Sequence, residues 1–144
     1  MKTVISVVGK SKRGKTTFLT RIIPLLKEKG YTVCVVKHSR HMLTHRNFDH
    51  EGKDTFAFSE AGADEVWLTS PRLTFYVTQA ETSLDHILET SEADFIITEG
   101  FTHASTKKIV IKAPGEEIAV KGDVLATIEG EYDPAEIVDV LIHS

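Results

Sequence analysis

The sequence is poor in cysteine and in long apolar runs. Cys34 is the only cysteine among its 144 residues, so no disulfide can form within the chain, and a buried thiol is the expected environment. No stretch reaches the roughly 18 consecutive apolar residues of a membrane-spanning helix. The chain opens on a strand-like run rather than on a signal peptide. These absences predict a cytoplasmic protein that does not enter a membrane.

Positive charge is also in short supply. Lys and Arg total 17 against 21 Asp and Glu, which gives a formal net charge of −4. This balance argues against nucleic acid as the main partner, because domains that bind nucleic acid carry an excess of basic residues. The length and the hydrophobic content of 41% predict one globular domain with its own core over residues 1–144.

A glycine-rich segment lies near the start of the chain. Residues 9–16 match the phosphate-binding loop pattern G-x-x-x-x-G-K-[ST] at every fixed position. Such a loop turns its N–H groups towards a phosphate, while Lys15 can reach the β- and γ-phosphates and Thr16 can hold Mg²⁺. The predicted nucleotide-binding residues of this loop are Gly9, Lys10, Ser11, Lys12, Arg13, Gly14, Lys15, Thr16 and Thr17.

The surrounding pattern predicts an α/β fold. An apolar, β-branched run at residues 3–8 leads into the loop, and a helix with one apolar face follows over residues 17–29. Further strands are predicted at residues 32–37, 65–69, 73–78, 94–100, 109–111 and 124–128, and further helices after Asp54, Ser83 and Asp133. This order predicts a P-loop NTPase-like three-layer fold, with a mostly parallel sheet flanked by helices. The runs at 65–69 and 73–78 predict an antiparallel hairpin, which would make the sheet mixed.

Three acids are candidates for a magnesium site. Glu99 ends an apolar strand, and an acid at the end of a strand beside the phosphate loop is the Walker B arrangement. Glu99 could orient a Mg²⁺-bound water or the attacking water, so we assign it a catalytic role together with Lys15. Asp49 and Asp54 are the other candidates, although Asp54 is also explained as the N-cap of a short helix.

Histidines are concentrated in a polar stretch after the second strand, namely His38, His41, His45 and His50. Ligands bind at the C-terminal ends of strands in open α/β sheets, and this stretch begins at such an end. His38, Arg40 and His41 could form an anion-binding wall near the phosphates. A zinc or molybdenum site and an ordinary solvated loop remain alternatives, and the spacing matches no usual zinc pattern.

Four segments carry a resemblance to a known family, in addition to the phosphate loop. They are the K-H-x-x-H segment at residues 37–41, the D-x-x-G-K-D-[ST] segment at 49–55, Ala-Gly-Ala at 61–63 and Thr-Glu-Gly-Phe at 98–101. Together they resemble the molybdopterin-guanine dinucleotide biosynthesis protein B (MobB) family, strongly over residues 1–101 and weakly beyond them.

The resemblance implies a function. Proteins of this family are similar to small P-loop GTPases: they bind GTP, hydrolyse it slowly, form homodimers and assist the nucleotidyltransferase that joins GMP to the molybdenum-bound pterin. The resemblance therefore implies GTP and Mg²⁺ as ligands of this chain, and a guanylyltransferase and a cofactor precursor as its partners. Asp49 matches the family's metal-side acid, so the implied metal ligands are Thr16, Asp49 and Glu99. Lys37, His38 and His41 are assigned to cofactor binding.

Two features of the phosphate loop depart from expectation. Lys12 and Arg13 stand where the family has small residues, and Lys10 falls where partition-type ATPases carry an additional catalytic lysine. The guanine-binding pattern N-K-x-D is matched only in fragments, at residues 120–123 and 106–109, so guanine rests on the resemblance. A small-molecule kinase using ATP and a partition-type dimeric ATPase switch therefore stay open as alternatives to a GTP-binding adaptor.

The predicted hairpin carries three aromatic residues, Trp67, Phe75 and Tyr76. Aromatic side chains of this kind often anchor interfaces between subunits. They could equally face the core of the chain itself.

Overall fold

A computed structural model describes residues 2–39 and 53–144 of the chain. The elements in order are β1 Thr3–Val8, α1 Lys15–Glu28, β2 Val33–Lys37, α2 Lys53–Glu60, β3 Glu65–Thr69, β4 Thr74–Thr78, α3 Leu84–Thr90, β5 Phe95–Glu99, β6 Lys107–Ile111, β7 Val124–Ile128 and α4 Pro134–Ile142. They fall into two compact units, one of Met1–His38 with Thr90–Ser144 and one of Ser39–Glu89. A single nucleotide-binding domain over residues 1–144 stays a prediction.

The first unit is built on a five-stranded sheet in the order β2-β5-β1-β6-β7, with every neighbouring pair parallel. The central strands β1, β5 and β6 are apolar on both faces, as strands buried on both sides must be. The predicted α/β architecture is therefore confirmed. β5, which comes late in the chain, lies between β1 and β2.

Helices α1 and α4 pack together on one face of this sheet. The α1 side chains Phe18, Ile22 and Leu26 recur every four residues and are fully buried, and each such burial is worth about 1.5–3 kcal/mol. The core cluster comprises Ile5, Val7, Phe18, Leu19, Ile22, Leu26, Phe95, Ile97, Ile109, Ile111, Ile128, Ile137, Val138 and Leu141. The predicted start of α4 after Asp133 is confirmed, and the carboxylate of Asp133 caps the helix by accepting a hydrogen bond from the Ala135 N–H at 3.0 Å.

The predicted hairpin is confirmed, but its place in the fold differs from expectation. β3 and β4 pair antiparallel as a separate two-stranded sheet, with Trp67 opposite Tyr76 and Leu68 opposite Phe75. The expectation of a mixed sheet was therefore wrong, because the hairpin does not join the parallel strands. Trp67 and Phe75 are 62% and 57% exposed, which excludes the alternative that these aromatic residues fill the chain's own core.

Two predicted helix starts have different outcomes. The hydroxyl of Ser83 accepts a hydrogen bond from the His86 N–H at 3.2 Å, which confirms Ser83 as the cap of α3. Helix α2 begins at Lys53, so Asp54 lies inside its first turn and is not the predicted N-cap. Within the part of the chain that the structure describes, no helix is long and apolar enough to cross a membrane.

A reciprocal pair of side chains joins the starts of β2 and β5. Asp94 Oδ2 accepts hydrogen bonds from the Thr32 N–H at 2.8 Å and from the Thr32 hydroxyl at 3.0 Å. The Asp94 N–H donates in turn to Thr32 Oγ1 at 2.9 Å. The hydrogen bond from the Thr32 backbone is the main cause that holds the pKa of the Asp94 carboxyl below its ordinary value.

Asp94→Asn should lower the free energy of unfolding at neutral pH and flatten its dependence on acid. An acid whose pKa is lowered by folding stabilises the fold above its unfolded pKa of about 3.9, and this contribution is lost as the pH falls through the folded pKa. Urea unfolding of both proteins between neutral pH and pH values below 3.9 measures this. Glu131→Gln, at an exposed acid, is the control, and parallel curves for wild type and Asp94→Asn would contradict the assignment.

Candidate nucleotide-binding site

The phosphate loop connects β1 to α1, and its two fixed glycines are required for different reasons. Gly14 caps α1 with φ of 90°, in the left-handed region that favours glycine. A Cβ built at Gly9 would lie 2.3 Å from the carbonyl oxygen of Ile111, at the end of β6. Gly9 is therefore required by close packing against the neighbouring strand, and Gly14 by the backbone turn.

Lys15 and the two threonines that follow it form the first turn of α1. Lys15 Nζ donates to the carbonyl of Gly9 at 2.5 Å and more weakly to that of Lys10 at 3.4 Å. The ammonium group therefore lies over the backbone of its own loop. Thr16 and Thr17 are exposed beside it, at the helix end whose partial positive charge favours anions.

Arg13, in the middle of the phosphate loop, is held by a carboxylate that is far away in the sequence. Its Nε donates to Glu116 Oε1 at 2.5 Å. Glu116 closes a turn that begins at Ala113, in which its own N–H donates to the Ala113 carbonyl at 3.1 Å. Pro114 and Gly115, with φ of 82° at Gly115, fit the second and third positions of a type II turn. The loop is thus tied to the segment after β6.

The charge of Glu116 is fixed by its neighbours. The hydrogen bond from Arg13 is the main cause that lowers the pKa of this carboxyl, and the positive charge of Lys10 lowers it further. Glu116 therefore stays ionised at neutral pH and offsets the charge of Arg13. Lys12, the other unusual residue of the loop, adopts φ of 59°, in the left-handed region that favours glycine over residues with a Cβ atom.

Glu99 lies where the Walker B interpretation needs an acid. It is the last residue of β5, and the sheet register places it opposite Val7 of β1 and opposite Lys37 of β2. Its side chain is only 13% exposed, and Oε2 is 3.7 Å from Lys37 Nζ. β1 enters the phosphate loop two residues after Val7, so Glu99 stands at the same edge of the sheet as that loop.

The segments that follow β2 and β5 also meet. The rings of His38 and Phe101 are 5.7 Å apart in an edge-on arrangement, so His38 lies beside the segment that follows Glu99. The other predicted residues of the histidine-rich stretch, His41, His45, His50, Arg40 and Asp49, lie outside the described residues. Among residues 2–39 and 53–144, no group of three or more His, Cys, Asp or Glu side chains could hold a metal ion.

The two partial guanine motifs lie away from the phosphate loop. Thr106 comes before β6 and Asp123 comes before β7, whereas the loop follows β1, and all three strands are parallel. The two segments contact each other, because the Lys108 N–H donates to the Asp123 carbonyl at 2.8 Å. A five-residue strand spans about 13 Å, so neither segment borders the loop that would hold the phosphates.

Sequence reasoning missed the residues that follow β6 and β7 at the phosphate-loop edge. Besides Glu116, they include Lys112 and Glu129, which form an ion pair at 3.2 Å. Lys112 Nζ also donates to the Glu116 carbonyl at 2.9 Å, so it braces the turn that presents Glu116. The available signal was the Ala-Pro-Gly-Glu turn directly after an apolar strand.

A parallel sheet with a G-x-x-x-x-G-K-[ST] loop between its central strand and the following helix defines a protein of P-loop NTPase-like fold. The family model described as "Molybdopterin guanine dinucleotide synthesis protein B" matches residues 4–129. The chain belongs to this family, MobB, as the resemblance predicted.

Relatives and a solved structure agree with this assignment. The chain is 32% identical to the molybdopterin-guanine dinucleotide biosynthesis adapter protein of Haemophilus influenzae over 113 residues, which cover 75% of this chain and 62% of that protein. It is 32% identical to the adapter protein of Escherichia coli over 125 residues, 78% of this chain and 70% of that protein. A crystal structure of molybdopterin-guanine biosynthesis protein B superposes with a TM-score of 0.79 at 28% identity, and covers 97% of this chain and 98% of its own.

Gly9→Ala should distort the phosphate loop while leaving the rest of the sheet folded. The added methyl group would overlap the Ile111 carbonyl, and overpacking of this kind costs about 1–3 kcal/mol. Thermal unfolding, together with titration of a fluorescent GTP analogue, measures both effects. Glu28→Ala, at an exposed position at the end of α1 and outside the loop, is the control. A Gly9→Ala protein with wild-type stability and affinity would contradict the packing argument.

Proposed function

We propose that this chain is a GTP-binding adapter of molybdopterin-guanine dinucleotide biosynthesis with weak, Mg²⁺-dependent GTP hydrolysis. One observation carries the nucleotide part: the Gly9–Thr16 loop joins the central strand to α1, with Lys15 over its backbone and Glu99 at the end of the adjacent strand. Membership of the MobB family and the names of the curated adapter proteins support the biosynthetic role.

The described residues suit the phosphates of a nucleotide. The N–H groups at the start of α1 and the ammonium of Lys15 attract the phosphate oxygens. The carboxylates of Glu99 and Glu116 would repel them, but each is paired with a cation, Lys37 and Arg13 respectively. The nucleotide-binding assignment of residues 9–17, Lys37 and His38 therefore stays as proposed, with His41 outside the described residues.

A magnesium ion fits the same place. Mg²⁺ prefers oxygen ligands, and Thr16 offers an exposed hydroxyl at the start of α1 while Glu99 offers a carboxylate at the phosphate-loop edge. These two residues would hold the ion directly or through water, with Asp49, outside the described residues, as the third proposed ligand. Bound there, Mg²⁺ would neutralise charge on the phosphates.

The expected turnover is slow, and binding rather than catalysis is the main activity. Glu99 can orient a water, but its carboxylate is also paired with the ammonium group of Lys37 at 3.7 Å. A slow GTPase can hold its nucleotide while it contacts a partner enzyme. The partners in this proposal are a guanylyltransferase and the molybdenum cofactor precursor, and the description of the relatives as biosynthesis adapter proteins supports them.

Lys15→Ala should weaken GTP binding tenfold or more. Loss of a charge-assisted hydrogen bond to phosphate costs about 1.5–3 kcal/mol. Thr16→Ala should weaken binding mainly when Mg²⁺ is present, because it removes a metal ligand. Titration of a fluorescent GTP analogue with and without Mg²⁺ measures both effects. Competition by ATP tests whether the site prefers guanine to adenine. Lys29→Ala, just beyond α1, is the control for lost charge.

Unchanged affinity in Lys15→Ala would contradict nucleotide binding at this loop. Equal competition by ATP would favour a partition-type ATPase switch over a GTP-binding adapter. Transfer of phosphate from ATP to a small molecule would favour a kinase.

A homodimer belongs to the same proposal, and the hairpin supplies the surface for it. Trp67 and Tyr76 stack on one face with ring centroids 4.2 Å apart, and the Tyr76 hydroxyl donates to Glu65 Oε1. Leu68 and Phe75 form an opposite pair on the other face. All four apolar side chains are exposed. Such aromatic residues carry much of the binding energy in subunit interfaces.

Trp67→Lys and Phe75→Lys should each weaken the dimer tenfold or more, which corresponds to about 1.4 kcal/mol. A lysine on either face of the hairpin would place a charge in an apolar contact, and Trp67→Lys avoids a like charge beside Glu65. Sedimentation at several concentrations measures the dissociation constant. Val140→Lys, at an exposed apolar residue of α4, is the control. A monomeric wild type would contradict the dimer, and a dimer untouched by both changes would place its interface elsewhere.

A further inference from the structure

The connection from β5 to β6 is unusually short. β5 ends at Glu99 and β6 begins at Lys107, so residues 100–106 are the whole connection, seven residues. Parallel strands are usually joined by a dozen residues or more, often a helix. Here the connection must also pass β1, which lies between β5 and β6. We call residues 100–106 the crossover.

The crossover begins with a strained turn at the phosphate-loop edge. Gly100 and Phe101 both have left-handed backbone, with φ of 95° and 53°. That conformation is uncommon for a bulky residue and persists only where the surroundings impose it. The Gly100 N–H donates to the Val7 carbonyl at 3.3 Å, and the Ala104 N–H donates to the Phe101 carbonyl at 3.0 Å.

The crossover ends beside a row of buried polar side chains, which crosses the three central strands of the sheet and which we call the polar row. Thr98, Ser6 and Lys108 are register neighbours across β5, β1 and β6, and all three are fully buried. The Thr98 hydroxyl donates to Ser6 Oγ at 2.7 Å, and Ser6 Oγ is 2.5 Å from Thr106 Oγ1. The row therefore links the residue before Glu99 to the last residue of the crossover.

Lys108 completes this row and holds the crossover down. Its Nζ donates to the carbonyls of Ala104 and Thr106, each at 2.6 Å, and to Thr106 Oγ1 at 2.9 Å. Among the described residues, these three partners are two carbonyls and a hydroxyl, and none is a carboxylate. Burial is the main cause that lowers the pKa of Lys108, and nearby Lys121 lowers it further. A buried cation with only neutral partners is costly, so its presence needs an explanation.

We infer that Lys108 is a positioning residue for GTP hydrolysis, which fixes Glu99 by clamping the far end of the crossover. This inference rests on the proposed function. The phosphate loop connects β1 to α1, and the hydrogen bonds of Lys108 go to Ala104 and Thr106 rather than to that loop. The clamp therefore affects the step that needs Glu99, and not the initial binding of the phosphates.

Lys108→Met keeps the length of the side chain but leaves the carbonyls of Ala104 and Thr106 without their donor. Mg²⁺-free affinity for GTP should stay within about twofold, while single-turnover hydrolysis should fall about tenfold or more, because small displacements of an orienting group are costly. Glu99→Gln should give the same pattern. The double variant should be no slower than Glu99→Gln alone, because both changes remove one function.

Lys107→Met, at the adjacent lysine, is the matched control and should behave as wild type. Hydrogen exchange of the nucleotide-free protein should show faster exchange in residues 100–106 of Lys108→Met. If that variant fails to fold, Thr106→Val removes the hydroxyl that links Lys108 to Ser6 while keeping the shape, and should show a smaller effect of the same kind.

The outcomes separate the clamp from the proposed function. A wild type that binds no GTP would contradict the proposed function. Unchanged hydrogen exchange of residues 100–106 in Lys108→Met would overturn the claim that Lys108 holds the crossover in place, whether or not the protein binds nucleotide. Faster exchange with wild-type hydrolysis would overturn the positioning role. Additive losses of hydrolysis rate in the double variant would also overturn the positioning role, because they would indicate that Lys108→Met destabilises the protein in general.

Discussion

The parallel pairing of β1 with β5 on one side and β6 on the other is the constraint on which the rest of the structure depends. It places the end of β5, and so Glu99, beside the phosphate loop. It also brings the end of β6 so close to Gly9 that no side chain fits there. Both the acid and the glycine of the candidate site are thus consequences of one strand order.

Charge pairing makes an acidic edge compatible with an anionic ligand. An unpaired carboxylate 4 Å from a phosphate would oppose binding by about 1–4 kcal/mol, depending on exposure. Arg13 holds Glu116 and Lys37 lies near Glu99, while Lys15 donates to the carbonyls of its own loop. Lys15 is therefore a cation of this site that no acid among the described residues neutralises.

The polar row beneath the crossover shows how a short connection can be buried. A chain that crosses a sheet without a helix brings carbonyl groups that its own backbone cannot satisfy, and each such group left unpaired costs about 1–3 kcal/mol. Lys108 donates to two of these carbonyls, those of Ala104 and Thr106, and Ser6 pairs with the Thr106 hydroxyl. This requirement explains why polar side chains interrupt three central strands at the same level.

The sequence by itself determined the local features: β1, the phosphate loop, α1, the β3–β4 hairpin and the caps at Ser83 and Asp133. Each depends on residues close together in the chain, so composition and spacing suffice. It could not determine that β5 rather than β2 lies next to β1, because both runs are equally apolar. Nor could it find the Arg13–Glu116 contact, whose partners are 103 residues apart, or the role of Lys108. Only the tertiary structure decided these, because strand order and burial come from packing over the whole chain, and a side chain's partners follow from that order.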